Sequence, residues 1–519
     1  MKKWLNHGIK LMLMILLISG LAGCGKEKEA ESKKGTAMTF GVTSFADTLE
    51  PTEQYFGWVI SRYGVGENLV RFNKEGKLEP SLAEKWSVSE DQLTWNFNIR
   101  KGVKFSNGTD LTPELVKKSL ERSFELNDRS STFFELDSIH VDEENILIKT
   151  KKPSAVVPGS LADPLFLIVD TTVNTDSFAK DGPICTGPYA VERFDPTEEC
   201  KLVKNDYYWD GEVPLAEVTM KCIDDQATRS MALQNGEIQV AYNLKTENME
   251  EFKNNKTIKM LELDSLRSTY SFMNQKGPLK DLKLRQALIR GLNREAYAKK
   301  LLRGGATPGK APIPATLDFG FDELKDENAY DPEAAKKLLA EAGYQDKDGD
   351  GYVEMPDGKP LDLEFVIYTS REELNVYAQA AQADLKNIGI KVTLNTVSYE
   401  TLLDMRDSAS FDLLIWNVLV ANTGDPENYL RENWHSKSPS NQANYKNEKV
   451  DALIDELAVT FDENKRRNLV IEIQQLIMDD AATIFFGYEI TYLFYSNKVK
   501  GAELYPMDYY WLTKEIAFQ

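Results

Sequence analysis

The stretch DKDGDGYVEMPD, residues 346 to 357, spaces Asp346, Asp348 and Asp350 two apart, with Gly351 sixth, Val353 eighth and Asp357 twelfth. Alternating carboxylates closed by a twelfth-position acid are the spacing with which a loop wraps calcium, a hard cation that prefers oxygen. A strand-like segment follows where a calcium loop would lead into a helix, so a solvated Asp/Gly turn stands beside the calcium reading. A second stretch, NTGDPENYLRENWH, spans residues 422 to 435. Asn422, Thr423 and Gly424 read as a turn, Asp425 as a helix N-cap and Pro426 as the first helical residue, with Tyr429 to His435 projecting from that helix. The imidazole of His435 either is incidental or serves a ligand, but one histidine is not a site, and a polar helix residue beside Trp434 is the plain alternative. Covalent or acid–base catalysis has little foothold. The histidines are His7, His140 and His435, no G-x-S-x-G occurs, and no spacing singles out a pair among 82 acidic residues. A surface hydrolase is therefore a remote alternative, as is a purely structural adhesin.

Composition and the N-terminus bound what carries these groups. The formal charge of −20 excludes the basic footprint that nucleic acid requires. Lys2, Lys3 and Lys10 flank an apolar run from Leu11 to Leu21, too short for a span, and Leu21-Ala22-Gly23-Cys24 has the form of a lipobox. The expected outcome is a signal peptide over 1–23, lipidation at Cys24 and a solvated tether over 24–35, which holds a soluble body at the extracytoplasmic face of the cell membrane. Cys185, Cys200 and Cys222 include no C-x-x-C, so zinc is not expected, and the sequence leaves their pairing open.

Hydrophobic periodicity gives an α/β body. Leu361, Leu363, Phe365 and Ile367 alternate as in a strand, and Leu374, Tyr377, Ala378, Ala381, Leu385 and Ile388 share a helical face that ends at Gly389. Then follow KVTLNTV, a short helix over YETLLDMRDS, and FDLLIWNVLV as a buried strand. This β-α-β-α-β order predicts parallel strands with right-handed crossovers, and the absence of a glycine-rich phosphate loop excludes a nucleotide site. Helices are also expected after Thr112-Pro113 and after Asp331-Pro332.

Four long segments carry a family resemblance: residues 80 to 122 (PSLAEKWSVSEDQLTWNFNIRKGVKFSNGTDLTPELVKKSLER), 186 to 211, 281 to 295 and 330 to 344. In order, they resemble the peptide/nickel family (family 5) of extracytoplasmic solute-binding lipoproteins, the receptors of ABC importers. The resemblance implies a two-lobed, class II periplasmic-binding-protein-like α/β fold with an extra inserted domain and the ligand in the interlobe cleft. It further implies lobe one from 36–64, 183–275 and 488–519, an inserted domain from 65–182, lobe two from 276–487, and a monomer working with a permease and an ATPase. No cofactor is required; nickel enters only as part of a chelate ligand.

Peptide-binding members carry an Asp four residues before the proline of this segment, where Asn422 stands here; an amide is a weaker partner for an α-ammonium. Residues 52 to 70 and TGDPENYL look closer to the nickel-chelate branch, in which neutral or aromatic groups surround a chelate. The candidate binding residues are thus Tyr55, Trp58, Arg62, Arg267, Asn422, Thr423, Asp425, Tyr429 and Trp434, with His435 as a metal ligand and Arg62 and Arg267 as carboxylate clamps. The expected ligand is a nickel–amino-acid-type chelate, with a di- or oligopeptide as the alternative.

Overall fold

A computed structural model describes residues 36–43, 46–242, 244, 252–368 and 371–519; the signal peptide, Cys24 and the tether lie outside the described residues. Among the described residues no helix is long and apolar enough to cross a membrane.

Alternating and fully apolar strands assemble into one eleven-stranded sheet that runs through both lobes. At one end, Asp362–Tyr368 pairs in parallel with Lys391–Val397 on one side and Leu413–Leu419 on the other. The predicted β-α-β-α-β unit is therefore present, with its first strand in the middle. At the other end, Ala37–Val42 lies parallel to Glu217–Cys222 and Val240–Tyr242. Two long strands, Ile258–Met273 and Thr483–Ser496, join the halves and are antiparallel to each other. Strand Ile258–Met273 begins beside lobe one, and from Arg267 to Met273 it pairs with Leu413–Leu419 of lobe two. These two long strands thus carry the chain between the two ends of the sheet.

A four-stranded antiparallel sheet, made by Ala83–Val88, Thr94–Ile99, Leu136–Asp142 and Asn145–Thr150, forms the body of the inserted region. Helix Pro113–Leu126 covers it, started as expected by Thr112, which accepts from the Leu115 N–H at 3.3 Å. Leu115, Val116 and Leu120 on its inner face are buried, in one apolar cluster with Phe97 and Ile148. Helix Pro332–Glu341 likewise starts at Asp331, whose carboxylate accepts from Ala334 N–H at 2.9 Å. Each such cap satisfies a donor that helix geometry leaves free.

The two lobes touch. The Tyr509 hydroxyl donates to the Asn422 carbonyl at 2.9 Å, and the Asn422 amide reaches the Asp163 carboxylate at 3.4 Å. Trp95 of the inserted sheet stacks on Phe461, with centroids 6.1 Å apart. At Gly159 the approach is so close that a Cβ would stand 2.0 Å from the Thr423 carbonyl oxygen, so only glycine fits.

Candidate ligand-binding site

The two long strands lose register where they pass between lobes. Asp264 pairs with Ile490 and Ser268 with Tyr488, so residues 265–267 oppose Glu489 alone. A bulge of this kind re-aims side chains and bends the strand. Here it brings Arg267 and Glu489 to the cleft, on the strands about which the lobes would turn.

Arg267 donates to the Asn417 side-chain oxygen at 3.2 Å, and its nearest described carboxylate is Glu489, 3.9 Å from its Nε. Its side chain is only 14% exposed. Burial, then the neighbouring charge of Arg371, pulls its guanidinium below the usual arginine value despite the opposing pull of Glu489 and Asp508. Glu489 is better served: Asn417 donates to it at 2.6 Å and Arg371 at 3.2 Å. The same Arg371 nitrogen holds Glu373 at 3.3 Å. Burial, followed by the Glu489 charge, raises Glu373 above the ordinary carboxylate range. Beyond these charges stand aromatic side chains: Trp416 stacks on Tyr399, and Tyr368 packs against both.

Lobe one supplies the facing wall. Helix Gly57–Arg62 ends in Arg62, whose Nε donates to the Asp508 carbonyl at 3.0 Å and whose Nη2 pairs with the Asp508 carboxylate at 2.5 Å. The guanidinium lies over Trp511 at 4.4 Å and Trp58 at 5.4 Å. Trp58 meets Tyr509 edge-on at 5.3 Å and Tyr55 at 6.4 Å, and Arg129 lies over Tyr55 at 4.7 Å. Arg129 in turn pairs with the fully buried Asp163 at 3.0 Å. Asp508 and Arg62 of lobe one act electrostatically on Arg267, and Tyr55 acts on Tyr399, so the two walls face each other.

Of the residues expected from the sequence, Tyr55, Trp58, Arg62 and Arg267 come to this cleft, and Asn422 and Thr423 sit at its interlobe contact. The others do not. Trp434 is 1% exposed, donates to the Thr483 hydroxyl at 3.1 Å and packs with Tyr429 against Tyr270, as core. The helix runs over Glu427–Trp434, one residue later than expected; Asp425 accepts from Glu427 N–H at 2.9 Å and is held by Arg466 at 2.6 Å. His435 ends that helix, 5% exposed, with Nδ1 accepting from Lys437 N–H at 3.1 Å and Nε2 3.3 Å from Asp455. Its partners belong to the neighbouring helix Glu448–Ala458, and among the described contacts none joins it to the cleft. In the acidic loop, Asp346, Asp348, Asp350 and Glu354 bring their oxygens within 4.8 Å of one another, a donor set that suits a hard cation. Glu354 thus joins the cluster, while Asp357 turns to Lys359 at 2.8 Å. The three described cysteines are free.

Arg371 and Glu373 escaped notice although they follow the carboxyl end of strand Asp362–Tyr368, the place where open α/β sheets put ligands. Asp508 and Trp511 had no such signal.

Two lobes joined by paired strands, with charged and indole side chains between them, form an arrangement able to hold a small ligand. The family model for bacterial extracellular solute-binding proteins, family 5 (middle region), matches residues 77–441. The chain is 29% identical to Heme-binding protein A of Haemophilus influenzae, covering 86% of this chain and 85% of that one. It is 24% identical to the nickel-binding protein NikA of Staphylococcus aureus, over 94% and 95%. Among solved structures, NikA of S. aureus in complex with Ni(L-His)2 superposes with a TM-score of 0.78 at 23% identity, covering 93% of this chain and all of that one. This chain belongs to the family 5 extracellular solute-binding proteins. It is a substrate-binding protein of the peptide/nickel type of ABC importer, a family of receptors rather than enzymes that works with permease and ATPase components.

Proposed function

We propose that the protein captures a small carboxylate-bearing ligand between Arg267 and the indoles of Trp58 and Trp416, and that the preferred ligand is a nickel–amino-acid-type chelate. The observation that carries this reading is the charge pattern of the cleft. Glu489, Asp508 and Asp163 each have an arginine within 3.2 Å, whereas the nearest described carboxylate to Arg267 lies at 3.9 Å. A cation out of water with so distant a counter-ion is poised to receive a ligand carboxylate. In a chelate the chelator's own atoms hold the metal, which accords with a cleft whose described polar groups include no histidine. The similarity to NikA supports the metal.

A short peptide is the second reading. The position at which peptide-binding members place an acid is Asn422, and its amide and carbonyl are already engaged by Asp163 and Tyr509. Asp163 nonetheless brings a carboxylate to that position, which is the feature that favours an ammonium. On either reading the protein works as a monomer anchored through acylated Cys24, delivering its ligand to the permease by lobe closure. Native mass spectrometry of protein purified from its host tests the choice. A nickel-bearing adduct is expected; a ladder of peptide masses would replace the chelate by the peptide.

A further inference from the structure

We propose that Glu373 and Glu489 act as a proton-accepting pair that takes up one proton from solvent when a ligand carboxylate docks on Arg267, which makes capture pH-linked. The inference rests on the carboxylate ligand proposed above. One Arg371 nitrogen serves both acids, at 3.3 Å from Glu373 and 3.2 Å from Glu489. Other groups face this pair from every side. Tyr377 lies on the helix that carries Glu373, and Tyr368 on the preceding strand. Arg267 comes from the other long strand, with Asp508 and Arg62 from lobe one. Among the described residues Arg62, Arg267 and Arg371 stand against Glu373, Glu489 and Asp508, and a ligand that docks its carboxylate here with its nickel or ammonium turned away adds a negative charge beside the pair.

The side chains of Arg371, Glu373 and Glu489 are partly exposed, at 36%, 27% and 23%, and a docked ligand would cover them; two carboxylates on one arginine nitrogen then no longer both stay ionised when a third arrives. Glu489 accepts from Asn417 as well as Arg371, while Glu373 shares that Arg371 nitrogen and is the acid that burial and the Glu489 charge raise, so Glu373 is the acid that yields. The proton passes from buffer to a Glu373 carboxylate oxygen, and no covalent bond to the ligand forms or breaks. Burial and Glu489 already raise Glu373 before ligand arrives, and a bound carboxylate raises it further. The sign follows: ligand binding takes up a proton, so affinity strengthens as pH falls, by up to about tenfold per pH unit. In the ligand-free protein a raised acid costs stability as pH rises through its range, the same direction.

Calorimetric titration with nickel–L-histidine and with trialanine, in phosphate and in Tris, counts the protons exchanged. The chelate's own protonation is common to both proteins and cancels between wild type and Glu373→Gln. Wild type is expected to take up close to one proton more than the variant, and the ratio of their affinities to shift in favour of the variant from about pH 6 to about pH 8. Equal proton counts with parallel pH dependence overturn the proposal and leave the ligand reading intact, as would occur if the ligand brought its own ammonium to Glu373. If neither probe binds either protein, the ligand reading fails and the proton linkage falls with it.

Discussion

Burial separates two residues that look equally chemical in the sequence. Arg267 is largely covered, its nearest described carboxylate at 3.9 Å, while His435 is buried with both ring nitrogens beside partners in its own lobe. Its Nδ1 fixes the Lys437 N–H at the end of helix Glu427–Trp434, and its ring fills space under helix Glu448–Ala458. His435→Ala removes that acceptor and leaves a void. It should cost roughly 1 to 3 kcal/mol of stability, seen as a lower melting temperature. Chelate affinity should stay within about twofold of wild type. A large loss of nickel–histidine binding with unchanged melting would return the imidazole to the metal.

At the scale of elements, closure depends on how near two segments can come. The turn Val157–Ser160 of the inserted region meets the loop after strand Leu413–Leu419 with nothing but hydrogen on Gly159. In Gly159→Ala the new methyl would sit 2.0 Å from Thr423 oxygen, far inside contact distance, so the lobes must stay apart. The variant should bind ligand at least about tenfold more weakly, a loss of about 1.4 kcal/mol, while the ligand-free protein melts near the wild-type temperature. Unchanged affinity would mean that this contact plays no part in closure.

The elements themselves were largely legible. Period-two runs became strands, and Thr112 and Asp331 became caps, because both signals are local. The cleft was only partly so. Arg62 and Arg267 were visible as cations, but the partner of Arg62 is Asp508, 446 residues away, and no local pattern encodes that distance. Trp434 and Trp416 illustrate the same limit. Trp434 lies in the polar helix ENYLRENW and Trp416 in the apolar strand LLIWNVL, yet tertiary packing makes the first a core residue and puts the second beside Tyr399 and Arg406. Asp425 reads as an N-cap because Pro follows it; in the structure Pro426 takes that place, and Asp425, paired with Arg466, stands two residues ahead of the helix.

For the whole molecule, one continuous sheet joins the lobes through Ile258–Met273 and Thr483–Ser496, so on the proposed reading closure would bend these two strands, and the bulge places Arg267 and Glu489 there. A ligand that grips Arg267 while touching Trp58 and Trp416 contacts both lobes and the hinge together, so binding and closure become one event. The cleft lies far from the acidic loop at 346–357 in sequence and shares no described residue with it, so cation binding there would affect stability without supplying the ligand site. The central claim is that Arg267 holds the ligand. Its most direct test is isothermal calorimetry of wild type and Arg267→Ala against nickel–L-histidine and a panel of di- to pentapeptides. Glu489 keeps Arg371 and Asn417 in the variant, so the fold should survive, with melting nearly unchanged. The probe that binds wild type should lose about 2 to 3 kcal/mol of affinity, roughly 30- to 150-fold. Equal affinity of the two proteins for that probe would contradict the account.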